Sequence, residues 1–138
     1  PPQEPVDPRP AHVIAQDALA QLIAADLPGQ NRMDEYYVRL SEIVRAYLDK
    51  RFDINALEMT SDEIRTWART QRFSSEIMAG FDDFLEETDL VKFADFAPSV
   101  SQLDTVTRVA RGLIVLTQDT SDVENPTSIE SMSSEVSA

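Results

Sequence analysis

Cysteine is absent from the 138 residues, and histidine occurs once, at position 12. The lack of thiols excludes disulfides, thiolate catalysis and cysteine-ligated zinc. A zinc or iron site needs several converging ligands, and the chain has neither a second histidine nor the Glu-x-x-His pairs of carboxylate di-iron bundles. The sequence therefore predicts no metal and no cofactor, and His12 is interpreted as a residue at the start of a helix.

Long apolar runs are also missing. The longest apolar-rich run, residues 112–117, is about a third of a membrane span. The first ten residues lack the basic start and apolar block of a signal peptide. The sequence also lacks the glycine-rich phosphate loop, the dinucleotide-binding fingerprint and the G-x-S-x-G nucleophile elbow. We therefore expect a chain that does not cross a bilayer and is not an enzyme.

Negative charge, in contrast, is abundant, because the formal net charge is −13. Such a surface repels phosphate, which disfavours binding to nucleic acid and to anionic lipid. Residues 1–10 contain five prolines and predict a semi-rigid spacer. Residues 119–138 are rich in serine and acids without lysine or arginine, and we expect them to form a disordered tail.

Residues 11–118 show helical periodicity and no alternating strand pattern, so the predicted fold is all-α. The predicted helices begin near Pro10, Asn31, Thr60, Ser74 and Ser99 and end near Asp26, Phe52, Thr70, Pro98 and Gln118. Five amphipathic helices joined by short loops indicate a compact bundle. Of the starts, Asn31 is a favourable N-cap residue, and Thr60 and Ser99 each fit a capping box with the residue three positions later.

The second helix carries two adjoining apolar stripes, at positions 36, 40, 43 and 47 and at positions 37, 44 and 48. A face of that width contacts more than one neighbour, which predicts a central position for this helix. Outside the face, Glu35 with Arg39 and Arg45 with Asp49 have the spacing of ion pairs on one helix.

The same helix contributes three aromatic residues that could hold a ligand. At least one of Tyr36 and Tyr37 is interpreted as a core residue whose hydroxyl finds a partner at the edge of the bundle, and Tyr47 and Trp67 are interpreted in the same way. The alternative is a sensory bundle that holds a small molecule against these four side chains.

Acidic residues concentrate in the fourth predicted helix, within residues 76–89. Sequential acids on the outer face of one helix are most simply a solvated surface. A docking face for a basic partner is the functional interpretation, and Asp82, Asp83, Glu86 and Glu87 are its candidate partner-binding residues. General acid–base catalysis remains a third possibility, because it requires two carboxylates held in a pocket with separated pKa values.

Several stretches resemble a known family. They are DEYYVRLSEIVRAYLDKRF at 34–52, ALEMTSDEI at 56–64, FLEETDLVKFA at 84–94 and the opening RPAHVIAQDALAQL at 9–22. In this order they resemble the helical cytosolic segment of Bat-type (BatD-like, aerotolerance-operon) bacterial membrane proteins, over residues 9–118.

The resemblance implies a non-enzymatic interaction domain at the cytoplasmic face of the bacterial inner membrane. Its implied partners are MoxR-type AAA+ ATPases and von Willebrand factor A proteins, with residues 1–10 as the spacer from a membrane anchor that is not in this chain. It implies no catalytic residue. The family pattern has glycine after the RF of the second helix, where this chain has Asp53. Since aspartate tolerates the left-handed backbone conformation, we expect the turn to be retained.

Overall fold

The computed structural model describes residues 7–119, which form five α-helices and no strand. The helices are α1 (Ala11–Ala24), α2 (Met33–Phe52), α3 (Ser61–Arg69), α4 (Ser75–Phe93) and α5 (Val100–Thr117). Short 3₁₀ turns at Pro28–Gln30 and Ala56–Glu58 flank α2. The prediction of an all-α bundle is confirmed. Residues 1–6 of the predicted spacer and 120–138 of the predicted tail lie outside the described residues.

Helix α2 occupies the centre of the bundle, as its two stripes predict. It packs against α1, α4 and α5. Its buried side chains are Tyr36, Tyr37, Leu40, Val44, Tyr47 and Leu48, and Ile43 is partly buried. Because both stripes are covered, the apolar area of this helix is removed from water on several sides, which is the main stabilising contribution to a helical bundle. No helix among residues 7–119 combines the length and apolar content needed to cross a membrane.

Both predicted capping boxes are present. Thr60 Oγ1 accepts a hydrogen bond from the Glu63 backbone N–H at 3.1 Å, and Glu63 Oε1 accepts one from the Thr60 N–H at 2.8 Å. Ser99 and Gln102 exchange the same two bonds at 3.1 and 2.8 Å. An N-cap side chain typically contributes about 1 kcal/mol, so the sequence fixes where α3 and α5 begin.

The turn after α2 is retained with aspartate in place of the expected glycine. Asp53 has φ 56° and ψ 47°, which is the left-handed region. The expectation that aspartate would tolerate this conformation is confirmed. The chain then passes through the second 3₁₀ turn and enters α3.

The predicted ion pair between Arg45 and Asp49 is wrong. Asp49 Oδ1 instead accepts hydrogen bonds from the backbone N–H groups of Ala56 and, at 3.2 Å, Leu57. Arg45 donates to the carbonyl oxygens of Ala56, at 3.1 Å, and Met59. The physical reason is that the 3₁₀ turn packs against α2 and presents backbone groups that need partners, so both side chains bind the turn. The predicted pair of Glu35 and Arg39 does form, at 2.6 Å.

The predicted N-cap at Asn31 is also wrong. Asn31 has φ 60° and closes the first 3₁₀ turn, and α2 begins at Met33 with Arg32 at the capping position. No side chain among residues 7–119 caps this helix start. Asparagine is favoured in both roles, because it caps helices and also tolerates the left-handed region, and the turn uses the second property.

Helices α4 and α5 approach each other closely beside Gly80. A Cβ atom at this position would lie 3.1 Å from Leu113 Cδ2. The inner face of α4 buries Phe81, Phe84, Leu85 and Thr88. This packing leaves the opposite side of α4 at the surface, where its acids lie.

Candidate functional site

Three of the four predicted partner-binding acids line one groove between α4 and α5. We call it the α4–α5 groove; its volume is about 400 Å³, and it is lined by Asp83, Glu86, Glu87, Leu90, Ser101, Gln102, Thr105, Val106 and Val109. The three acids lie together, with Leu90 beside them, because positions 83, 86, 87 and 90 have the spacing of one helical face. The capping box that begins α5 brings Ser101 and Gln102 to the facing wall.

Asp82 does not belong to this group. Its carboxylate lies 3.5 Å from Arg65 Nε on α3. The Asp82 side chain remains 58% exposed, so this contact is a surface ion pair that contributes little to stability. The structure therefore divides the predicted acidic face into an α5 side with three acids and an α3 side with Asp82.

Glu87 is tied to the core, unlike Asp83 and Glu86. The Tyr37 hydroxyl donates a hydrogen bond to Glu87 Oε2 at 3.0 Å. Tyr37 is 1% exposed, and both burial and the adjacent Glu87 carboxylate raise the pKa of its phenol. The bond fixes Glu87 at the base of the groove wall, whereas Asp83 and Glu86 are exposed.

The groove combines an acidic wall with apolar area. Leu90 is 37% exposed, Val109 is partly buried and Val106 is buried. Carboxylates near the surface attract cations, and the leucine and valine side chains offer area that a partner's apolar side chain can cover. This arrangement is suited to binding a basic segment that also has apolar residues.

Tyr36, Tyr37 and Tyr47 are all buried in the core. The prediction for Tyr47 is confirmed, and so is the prediction that at least one of Tyr36 and Tyr37 is a core residue. The Tyr36 hydroxyl lies 2.7 Å from Thr107 Oγ1, and the Tyr47 hydroxyl donates to the Ile114 carbonyl oxygen at 3.2 Å and lies 2.8 Å from Thr117 Oγ1. Each phenol oxygen thus already has a partner within the protein. Burial raises the pKa of Tyr47.

Within residues 7–119, the four aromatic residues of the small-molecule alternative do not line a common cavity. Tyr47 lines a groove between α1 and α2, Tyr37 lines a cleft beside α4, and Tyr36 lines a groove beside α5. Trp67 packs edge-on against Phe52, with ring centroids 4.9 Å apart. The small-molecule alternative requires these side chains to contact one ligand, whereas the structure places them in different parts of the bundle.

His12 lies half-buried in the first turn of α1. Within residues 7–119 no cluster of three or more histidine, aspartate or glutamate side chains has a geometry that could hold a metal ion.

Comparison with known proteins gives no relative: no family model, no curated protein and no solved structure matches this chain.

Proposed function

We propose that this chain is a non-enzymatic protein-interaction domain, the cytosolic part of a membrane-anchored bacterial protein of the Bat type. Its partner is a MoxR-type AAA+ ATPase or a von Willebrand factor A protein, and it acts at the cytoplasmic face of the inner membrane. The resemblance of the motifs in residues 9–118 supports the family. The observation that carries the binding role is the α4–α5 groove, with three carboxylates beside partly uncovered leucine and valine side chains.

The chemistry of the groove defines the partner surface. Because Asp83 and Glu86 are exposed at its edge, they attract a basic surface before contact and increase the association rate. Once the partner is docked, Leu90 and Val109 cover one of its apolar side chains. Glu87 is held in place by Tyr37, so one carboxylate is oriented before the partner arrives.

Charge reversal tests this proposal. The test variant is Asp83→Lys/Glu86→Lys, which leaves Glu87 and its bond to Tyr37 intact. The control variant is Glu58→Lys/Asp104→Lys, which makes the same change in net charge at exposed residues outside the groove. Affinity is measured by titration calorimetry against the two proposed partners, a MoxR-type ATPase and a von Willebrand factor A protein.

The test variant is expected to weaken binding by about tenfold or more, equivalent to about 1.4 kcal/mol. The control is expected to change it by no more than about threefold, through the change in long-range charge. A third variant, Asp82→Lys, is expected to resemble the control because Asp82 lies beside Arg65. Equal affinities of test variant and wild type, or no binding to either protein, would reject the proposal.

A further inference from the structure

A second surface depression lies on the other side of α4. It is a cleft of about 640 Å³ between α2, the turn that leads into α3 and the last turns of α4, and we call it the α2–α4 cleft. The side chains that define its chemistry are Val38, Leu57, Phe93, Asp34, Glu42 and Asp62. None of them lines the α4–α5 groove.

Three apolar side chains of this cleft are open to water. Phe93 is 74% exposed, Leu57 47% and Val38 38%. They come from three different elements, the end of α4, the second 3₁₀ turn and α2, so the fold brings them to one cleft. Single exposed apolar residues are ordinary, but several around one depression form a surface that a partner can cover. Phenylalanine is among the residues that are enriched at protein interfaces relative to the rest of the surface.

The polar groups at the base of the cleft are already bonded within the protein. Arg45 is half-buried and donates to Ser41 Oγ at 3.1 Å as well as to the carbonyl oxygens of the turn. Ser61 donates to Asp89 Oδ1 at 3.0 Å. The Arg45 guanidinium is therefore engaged in holding the turn against α2, and it does not form an open site for an anion.

The charges around the opening are predominantly negative. Among residues 7–119, neither Asp34 nor Glu42 has a cationic group within 4.0 Å. Asp62 contacts Arg65 at 3.0 Å, but its side chain remains 93% exposed. Lys92, which lines the cleft, has its ammonium nitrogen 5.2 Å from the centre of the Phe93 ring. A cation in the cleft would thus have several carboxylates within reach.

From these observations we propose that the α2–α4 cleft is a second docking surface, and that its occupant is a peptide segment of a partner protein with a lysine or arginine next to an apolar residue. The apolar residue packs on Phe93, Leu57 and Val38, and the basic side chain pairs with Asp34 or Glu42. Charge complementarity selects this occupant: an acidic segment would be repelled, and a purely apolar one would leave the two carboxylates unpaired.

This surface is separate from the α4–α5 groove. Tyr37 lines the cleft, and its hydroxyl donates a hydrogen bond to Glu87, which lines the groove. The tyrosine therefore forms part of the wall between them. A failure of the proposal for the groove leaves the proposal for the cleft standing, because the two depend on different side chains.

A random twelve-residue peptide library displayed on phage provides the probe. The full chain is the target, and the variant Leu57→Asp/Phe93→Asp is used for counter-selection, so that peptides binding elsewhere are removed. Enriched peptides are synthesised with a fluorescent label, and their dissociation constants are measured by fluorescence anisotropy. Phe93→Ala is compared with Val100→Ala, which truncates another exposed apolar side chain (65% exposed) outside the cleft.

The enriched peptides are expected to contain lysine or arginine next to a large apolar residue. Phe93→Ala should weaken their binding by about tenfold, as expected for an aromatic contact residue, and Val100→Ala by less than about twofold. Asp34→Asn/Glu42→Gln should also weaken binding, and more strongly at low salt than at high salt. Thermal unfolding of each variant shows that the fold is retained.

Four results would overturn the proposal. They are no enrichment over the counter-selection variant, enriched peptides without basic residues, equal effects of the two alanine substitutions, and a dimer of the chain that dissociates when Phe93 is replaced. The last result would mean that a second copy of this chain covers the cleft.

Discussion

The inner face and the outer margins of α4 both carry large apolar side chains, but these lie in opposite surroundings. On the inner face, Phe84 is fully buried and Phe81 is 1% exposed. At the end of the same helix, Phe93 is 74% exposed, and Leu90 is 37% exposed beside the acids of the groove. The contrast teaches that residue type does not decide what a side chain contributes. The buried side chains of the inner face stabilise the fold. The apolar side chains at the margins remain exposed, so a partner could cover them.

Substitution of Phe84 and of Phe93 tests this contrast with the largest expected effect. Phe84→Ala leaves a cavity in the centre of the bundle and is expected to lower the free energy of unfolding by about 3–5 kcal/mol. Phe93→Ala removes a side chain that contacts mostly water and is expected to change it by less than about 0.5 kcal/mol. Urea denaturation measures both. Similar losses for the two variants would contradict the assignment of Phe84 to the core and of Phe93 to the surface.

Tyr37 joins the two regions, so its hydroxyl is the next test. Tyr37→Phe removes the hydroxyl that donates to Glu87, so the half-buried carboxylate loses this hydrogen bond. The free energy of unfolding is expected to fall by about 1–2 kcal/mol. Tyr36→Phe is the matched control, because Thr107 keeps a second bond to the Leu103 carbonyl oxygen at 2.8 Å. We expect Tyr36→Phe to lower the free energy of unfolding by less than Tyr37→Phe does. A larger loss for Tyr36→Phe would mean that the bond to Glu87 has little energetic importance.

The pH dependence of the same variant sharpens the comparison. Because burial and Glu87 raise the pKa of Tyr37, the folded state holds the phenol proton more tightly than the unfolded chain does. Its stabilising contribution is thus complete below the unfolded pKa of about 10 and is lost as the pH rises above it. Urea midpoints measured from pH 8 to pH 11 should fall less steeply for Tyr37→Phe than for wild type. Equal slopes would contradict the raised pKa.

The smallest expected effect concerns the turn after α2. Asp53→Gly relieves the left-handed strain and is expected to stabilise the fold by about 0.5 kcal/mol, whereas Asp53→Ala should destabilise it by about as much. Thermal unfolding of the three chains gives the order Gly, Asp, Ala from most to least stable. Any other order would mean that the Asp53 side chain has a role beyond its tolerance of the backbone.

The elements that could be predicted from sequence are those determined by local interactions. The capping boxes at Thr60 and Ser99 and the left-handed turn at Asp53 each depend on a few consecutive residues. The stripes of α2 follow from helical periodicity and were enough to predict the buried tyrosines. In contrast, Arg45 and Asp49 have the spacing of an ion pair, but they bind a turn whose position depends on the packing of the whole bundle.

The candidate site could be predicted only in part for the same reason. The sequence groups Asp82 with Asp83 and Glu86, but whether α3 or α5 lies beside each acid is a long-range property. The hydrogen bond from Tyr37 to Glu87 joins α2 and α4, and no sequence pattern in either helix predicts it. One local signal was present: position 87 is three residues after Phe84, which places it beside the core face. The exposed Phe93 and Leu57 were not predicted, because apolar residues in a helical protein are ordinarily expected to be buried.

The most direct test of the central claim, that the acidic margin of α4 binds a protein, is hydrogen–deuterium exchange of the full chain with and without each proposed partner, a MoxR-type ATPase or a von Willebrand factor A protein. One of them is expected to slow exchange in peptides that cover residues 83–90 and 101–109, while α1 and the inner part of α2 stay unchanged. Absence of a complex with both proteins, or protection confined to α1, would contradict the account.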